Sequence, residues 1–344
     1  MRFEPSMVEG NYQRDILAEP RALADTVAGL CAAPDLKAGD GFDRIVLTGM
    51  GGSFHALQPL YLQLVQHGFN ATVLETAELI HYFDAVLTPR TLLVAVSQSG
   101  RSVETVRLLD STAGRMRRTI GVTNTPGSPL ATRADLTVFT YAGAESSVSC
   151  KTYVATLVAL EWLGAALCGT NRQEIESKLQ HAAPTAEAYL HDWDDKVAAL
   201  ADLLSGVRSL FVAGRGTSIA AAGTAGLILK ESAHFHAEGM TCSAFRHGPF
   251  ELSAPDVVLL VFKGDSKTAA LNENLVSDVR KAGGKAFLVG PASDIEALRI
   301  PETPAAIRPV LEILPLQLVS LALAAVAGLQ PGNFKLLTKV TIIE

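Results

Sequence analysis

The sequence predicts an α/β protein built from two parallel sheets, each covered by helices on both faces, with the second half a duplicate of the first. Three observations carry this expectation. Short uninterrupted apolar strands alternate with helix-like stretches, most strands run into a Gly- or Ser-rich turn, and the order returns at a nearly constant spacing. Strands covered on both faces lose the apolar–polar alternation of a half-exposed sheet, so unbroken apolar runs point to parallel sheets.

In the first half, Arg44–Thr48 reads as a strand leading into GMGGS, Thr91–Val96 as one leading into SQSG, and Arg118–Val122 as one leading into TNTPGSP. Helical segments over 56–67 and 102–113 lie between them. In the second half, Leu210–Ala213 leads into GRGTS, Val257–Phe262 into KGDS and Lys285–Val289 into GPAS. Ser218 follows Ser53 by 165 positions and Leu260 follows Val94 by 166, so separate strands repeat in one register, as duplication requires. The polar, helix-prone stretch 171–196 is expected to bridge the halves. The expected organisation is an N-terminal helical segment over 1–40, a first repeat over 41–170, a helical bridge over 171–205, a second repeat over 206–325 and a C-terminal tail over 326–344 that contributes to the active site.

The 344 residues are 48% hydrophobic and 19% charged, enough to bury a sizeable core. A net charge of −6 without a Lys/Arg run argues against a nucleic-acid partner, which demands a concentrated basic surface. Four scattered cysteines without a CxxC pair, and a polar N-terminus that does not read as a signal peptide, point to a reducing, cytoplasmic setting. The apolar run 313–329 reads either as a membrane span or as a buried core helix; Gln317, Ser320 and its short length favour the core, and no membrane association is expected.

Ligands of parallel α/β sheets sit outside the carboxyl ends of the strands. SQSGRSVET places Ser97, Gln98, Ser99 and Ser102 on one strand-to-helix turn, and four polar side chains there make a compact anion site. A single serine would read as a helix cap. GMGGSF is not a dinucleotide fingerprint, because Phe54 stands where a third glycine is required, and no GK[ST] triplet marks a P-loop. No G-x-S-x-G elbow suggests a hydrolase.

GMGGSF, AVSQSGRSVET, VAGRGTS, LKESAHFHAEG, FRHGPFEL and LTKVTIIE, in this order, resemble the sugar isomerase (SIS) domain family, and within it the isomerase half of the glutamine–fructose-6-phosphate amidotransferases. The resemblance implies two flavodoxin-like subdomains packed as a pseudo-twofold pair and a dimeric protein. It places phosphate binding on Ser53, Ser97, Gln98, Ser99 and Ser102, the last usually Thr in those enzymes. It places the proton-shuttling glutamate on Glu231, the ring-opening histidine, reaching from the neighbouring subunit, on His247, and a Schiff-base lysine on Lys339. There are departures. No glutaminase domain precedes the unit, so the chain is not expected to draw ammonia from glutamine; Ile228 replaces a substrate-contacting lysine; and AESSVSCKTYV fits the family's stretch only with a shift, which leaves Ser149, Cys150 and Lys151 unassigned.

The residue types suit that chemistry. A carboxylate at the edge of an apolar helix, as Glu231 would be after TAGLILK, can carry a proton between C1 and C2 when partial burial raises its pKa. The alternative is a glutamate paired with Lys230 or another cation on the helix surface. His247 titrates near neutrality and suits ring opening, against a histidine held by backbone in a Gly-Pro turn. Glu251 is left as structural. Lys339 suits an imine only if desolvated, and otherwise is a surface lysine. His234, His236 and His247 form too weak a pattern for a metal site, and neither metal nor cofactor is expected. The expected partners are a sugar phosphate and a second copy of the chain. Three functions remain open: deamination of glucosamine 6-phosphate to fructose 6-phosphate, deglycation of a 6-phosphorylated fructosamine, and a non-catalytic sugar-phosphate sensor. A plain sugar-phosphate isomerase also stays possible.

Overall fold

The computed structural model describes residues 3–39, 41–336 and 338–339. Among the described residues nine strands are formed: β1 (Arg44–Gly49), β2 (Ala71–Glu75), β3 (Thr91–Val96), β4 (Arg118–Thr123), β5 (Leu136–Phe139), β6 (Ser209–Gly214), β7 (Ala237–Thr241), β8 (Val257–Phe262) and β9 (Lys285–Val289). They build a five-stranded sheet ordered β2-β1-β3-β4-β5 and a four-stranded sheet ordered β7-β6-β8-β9. All pairings are parallel; Val46, for example, lies between Thr72 and Leu93. The first order is that of flavodoxin, and the second repeats it one strand short.

The described residues fall into two compact units. One draws on Arg21–Glu145, Lys151–His181 and Leu336–Glu344, the other on Met1–Pro20, Ser146–Cys150 and Ala182–Lys335. In the first unit, β3 is buried along its whole length and β1 from Ile45 onward. Each such Val, Leu or Ile contributes about 1.5–3 kcal/mol by leaving water. The helix Lys151–Leu167 packs closely on the helix Gly51–Gln66: a Cβ on Gly164 would stand 2.0 Å from Gln63 Oε1. Asn171 caps the next helix, Arg172–Leu179, by accepting from the Glu174 amide.

In the second unit, the helix Arg308–Val326 packs against the helix Ile219–Ala233 and is buried from Pro309 to Ala325. The apolar run at 313–329 is therefore core as far as Ala325, although the helix Arg308–Val326 has the length and hydropathy of a membrane span. Two of its buried polar side chains find partners inside: the Gln317 amide nitrogen donates to Glu19 at 2.6 Å, and Ser320 shares a 3.1 Å hydrogen bond with the Tyr12 hydroxyl. Burial raises the Tyr12 hydroxyl well above the usual tyrosine range.

Three strands escape the sequence reading: β2, β5 and β7. Each is an edge strand with a mostly half-buried face, so the unbroken apolar run that reveals an interior strand is missing. In β7 the sequence is broken further by Gly239, where a Cβ would lie 2.0 Å from the Ala222 carbonyl. That glycine lets the helix Ile219–Ala233 sit directly on the strand.

Candidate functional site

The carboxyl edge of the five-stranded sheet carries the serine turns. β1 ends at Gly49, where a Cβ would meet Ser53 and the Val96 carbonyl at 3.1 Å, so the chain turns tightly into the helix Gly51–Gln66 with Ser53 in its first turn. β6 repeats the construction: a Cβ on Gly214 would meet Ser218 at 2.8 Å. Structure and sequence thus pair Ser53 with Ser218.

β3 leads into Ser97, Gln98, Ser99 and Gly100, then into the helix Val103–Thr112. Gly100 has φ +60°, and a Cβ there would meet Ser128 Oγ at 2.3 Å, so the turn requires glycine. The Gln98 carbonyl accepts from the Asn124 amide at 3.0 Å and from the Thr123 hydroxyl at 3.1 Å, tying the turn to the end of β4. Ser97 Oγ accepts from the Gly100 amide and Ser99 Oγ from the Arg101 amide, both at 3.2 Å. Accepting leaves each hydroxyl hydrogen available to donate. Ser102, at the N-cap position, makes no cap hydrogen bond to backbone and instead shares a 2.7 Å hydrogen bond with Thr105 Oγ1. The Ser53 hydroxyl and the Gln98 amide have no hydrogen-bond partner among the described residues, and the exposed Arg101 guanidinium has no ion pair among them. A turn with unspent donors, a helix N-terminus and a nearby cation is suited to an anion.

Beyond β5 the same edge holds Glu145. Its carboxylate, fully buried at the side chain, accepts from the Thr152 amide at 3.1 Å, from the Thr152 hydroxyl at 2.6 Å and from Lys339 Nζ at 2.6 Å. Lys339 is one-quarter exposed and is held as a paired ammonium. An ammonium is not a nucleophile, so imine formation by Lys339 requires this pair to open.

In the second unit, Glu231 lies in the last turn of the helix Ile219–Ala233, partly buried. The adjacent Lys230 pairs with Glu238 on β7 at 3.5 Å. His247 follows the short helix Cys242–Arg246 and precedes Gly248, which has φ 143°. Its amide donates to the Ala244 carbonyl, while its exposed ring has no hydrogen bond among the described residues. Arg246 pairs with Asp278 at 2.8 Å, leaving Glu251 out of that pairing. Among the described residues, no group of three or more His, Cys, Asp or Glu side chains converges as a metal site would.

Two acidic residues were not singled out from sequence. Glu145 meets Lys339 across 194 positions. Glu312, 2% exposed, accepts from Ser218 Oγ at 2.7 Å, and burial pushes its carboxyl up to about 7 against the pull of Ser218. Neither partnership has a local sequence signal; only the charge of Glu312 beside an apolar run hinted at a special environment.

A family model described as the SIS domain matches residues 42–166 and again 203–327. The glutamine–fructose-6-phosphate aminotransferase (isomerizing) of Pyrococcus horikoshii is 30% identical over 98% of this chain and 59% of its own length. That of Thermococcus kodakarensis is 28% identical over 96% and 58%. The chain thus spans just under three fifths of these relatives. Among solved structures, the C-terminal domain of glucosamine-fructose-6-phosphate aminotransferase from Francisella tularensis superposes with a TM-score of 0.82 at 21% identity, covering 97% of this chain and 98% of that one. Glucosamine-6-phosphate deaminase from Thermotoga maritima gives 0.80 at 17% identity, covering 97% and 100%. These structural likenesses show a shared fold. With two matched copies and two sheets of one strand order, the chain belongs to the SIS domain family and is homologous along its length to the isomerase part of those aminotransferases.

Proposed function

We propose that the chain is a phosphosugar isomerase-type enzyme that deaminates glucosamine 6-phosphate to fructose 6-phosphate and ammonia. The observation that supports this best is the turn at 97–102, where the Ser97 and Ser99 hydroxyls accept backbone hydrogen bonds and keep their own hydrogens for a phosphoester. In this reading Ser53, Ser97, Gln98, Ser99 and Ser102 hold the 6-phosphate, which fixes the distance to the sugar's first carbons.

His247 opens the ring by giving a proton to the ring oxygen as the C1 hydroxyl loses one. Glu231 takes the proton from C2 of the open aldose and returns it to C1. The electron pair of the C2–H bond passes through an enolamine, the C1 oxygen gains the proton that the amino nitrogen gives up, and the product carries an imine at C2. Water adds to that carbon and ammonia leaves, so one water is consumed for each ammonia released. Lys339 need not act as a nucleophile here, because the substrate's own nitrogen supplies the imine; the paired ammonium at Glu145 is compatible with that role. His247 is assigned to the partner copy's site, which makes the active species a homodimer; its exposed, unpartnered ring is compatible with this.

The test is direct. The protein is incubated with glucosamine 6-phosphate, and ammonia and fructose 6-phosphate are assayed. Equal release of both supports the proposal. No turnover refutes it, and turnover of a 6-phosphorylated fructosamine instead assigns the same residues to deglycation.

A further inference from the structure

The second repeat has a cavity of its own at the carboxyl edge of its sheet. Lys263 and Gly264 leave β8, Gly290 and Pro291 leave β9, and Arg308 and Glu312 come from the first turns of the helix Arg308–Val326. With the segment 300–303 they line a cavity of about 20 Å³, room for one water-sized group. Glu312 is the unusual member. It is 2% exposed, Ser218 occupies Oε1, and Oε2 has no hydrogen-bond partner among the described residues. A buried carboxyl oxygen without a partner is costly, so the lining is complete only when something there supplies a donor or acceptor. Ser218 is the counterpart of Ser53, but here the serine hydroxyl is spent on Glu312. The second repeat therefore does not present this serine to a phosphate as the first is proposed to do.

We propose that this cavity is the hydroxyl pocket of a second small-molecule site, separate from the turn at 97–102, that takes one hydroxyl of an organic anion whose charged group stays at the cavity's mouth. Lys263 and Arg308 hold the anionic group, and Oε2 of Glu312 pairs with a hydroxyl inserted between the ends of β8 and β9. Ser218 fixes the carboxyl group so that its second oxygen is presented in one orientation. The position follows the general placement of ligands outside the carboxyl ends of parallel strands.

The test uses the full chain carrying Ser97→Ala and Ser99→Ala, so that the first-repeat turn is disabled and its own failure or success does not enter. This protein is titrated calorimetrically with glycerol 3-phosphate and with methyl phosphate, which lacks the free hydroxyls. The expected result is one glycerol 3-phosphate per chain, bound about tenfold more tightly than methyl phosphate, the preference one buried hydrogen bond supplies. Arg308→Ala and Lys263→Ala each weaken it by about tenfold or more, as loss of a charged contact does. Glu312→Ala removes the preference for glycerol 3-phosphate; should that variant not fold, the two cation variants still decide. No binding in the Ser97→Ala/Ser99→Ala chain, or binding that neither cation variant weakens, overturns the proposal. A hydroxyl preference that survives in a folded Glu312→Ala chain overturns the role of Glu312.

Discussion

Replacing Glu312 by glutamine should make the protein more stable at neutral pH and leave it almost unchanged at acid pH. The reasoning starts from burial. Glu312 is 2% exposed, and burial raises its carboxyl from 4.5 to about 7 in the folded chain. The folded state then holds a proton that the unfolded state releases between pH 4.5 and about 7. Stability contributed by this group therefore falls as pH rises through that window and stays low above it. A shift of this size corresponds to about 3 kcal/mol on full ionisation. Glutamine keeps an oxygen for the Ser218 hydroxyl but has no proton to lose. Urea unfolding of both proteins, followed by tryptophan fluorescence from pH 5 to pH 8, should show the advantage of the variant growing by about 2–3 kcal/mol across the range. A stability difference constant to within about 0.5 kcal/mol over that range would show that Glu312 does not titrate as its burial requires.

Three further outcomes follow from the geometry. Glu231→Gln should abolish turnover of glucosamine 6-phosphate while leaving its binding by calorimetry within about threefold, since an amide fills the same space but cannot take up and return a proton; an unchanged rate removes Glu231 from the chemistry. His247→Asn should change stability by less than about 0.5 kcal/mol, because the ring is exposed and unpartnered. Mixed with the Glu231→Gln chain, it should regain up to about a quarter of wild-type activity through exchanged dimers, because each intact site would draw its two groups from different copies; no recovery after demonstrated exchange contradicts the shared site. Gly100→Ala should lower unfolding free energy by about 1–2 kcal/mol for the left-handed backbone alone, and by more because its Cβ meets Ser128; unchanged urea unfolding would contradict the rigidity assigned to this turn.

The interior of the fold was legible because interior strands declare themselves. β3 and β8 are apolar at almost every position, and both were read with the bounds they have in the structure. β2, β5 and β7 were not, since an edge strand with a half-wet face needs no such run, and Gly239 in β7 looks like a break until the helix above it is seen. The serine turn was legible for a related reason: its donors lie within six consecutive positions on one local bend. The pairs Lys339–Glu145 and Ser218–Glu312 lie 194 and 94 positions apart, and only the fold brings them together. Sequence alone left Lys339 open as an imine former; the buried carboxylate beside it gives that amine a structural duty first.

Binding of glucosamine 6-phosphate compared with glucosamine, measured on the wild-type chain and on Ser97→Ala/Ser99→Ala, reads the grip of the serine turn on a phosphoester without any assumption about catalysis. The wild-type chain should prefer the phosphorylated sugar by about 100-fold or more, and loss of two hydroxyl donors to a charged group should cut that preference by about tenfold or more. Equal affinity for the two sugars, or a preference that the double variant retains in full, would contradict the account.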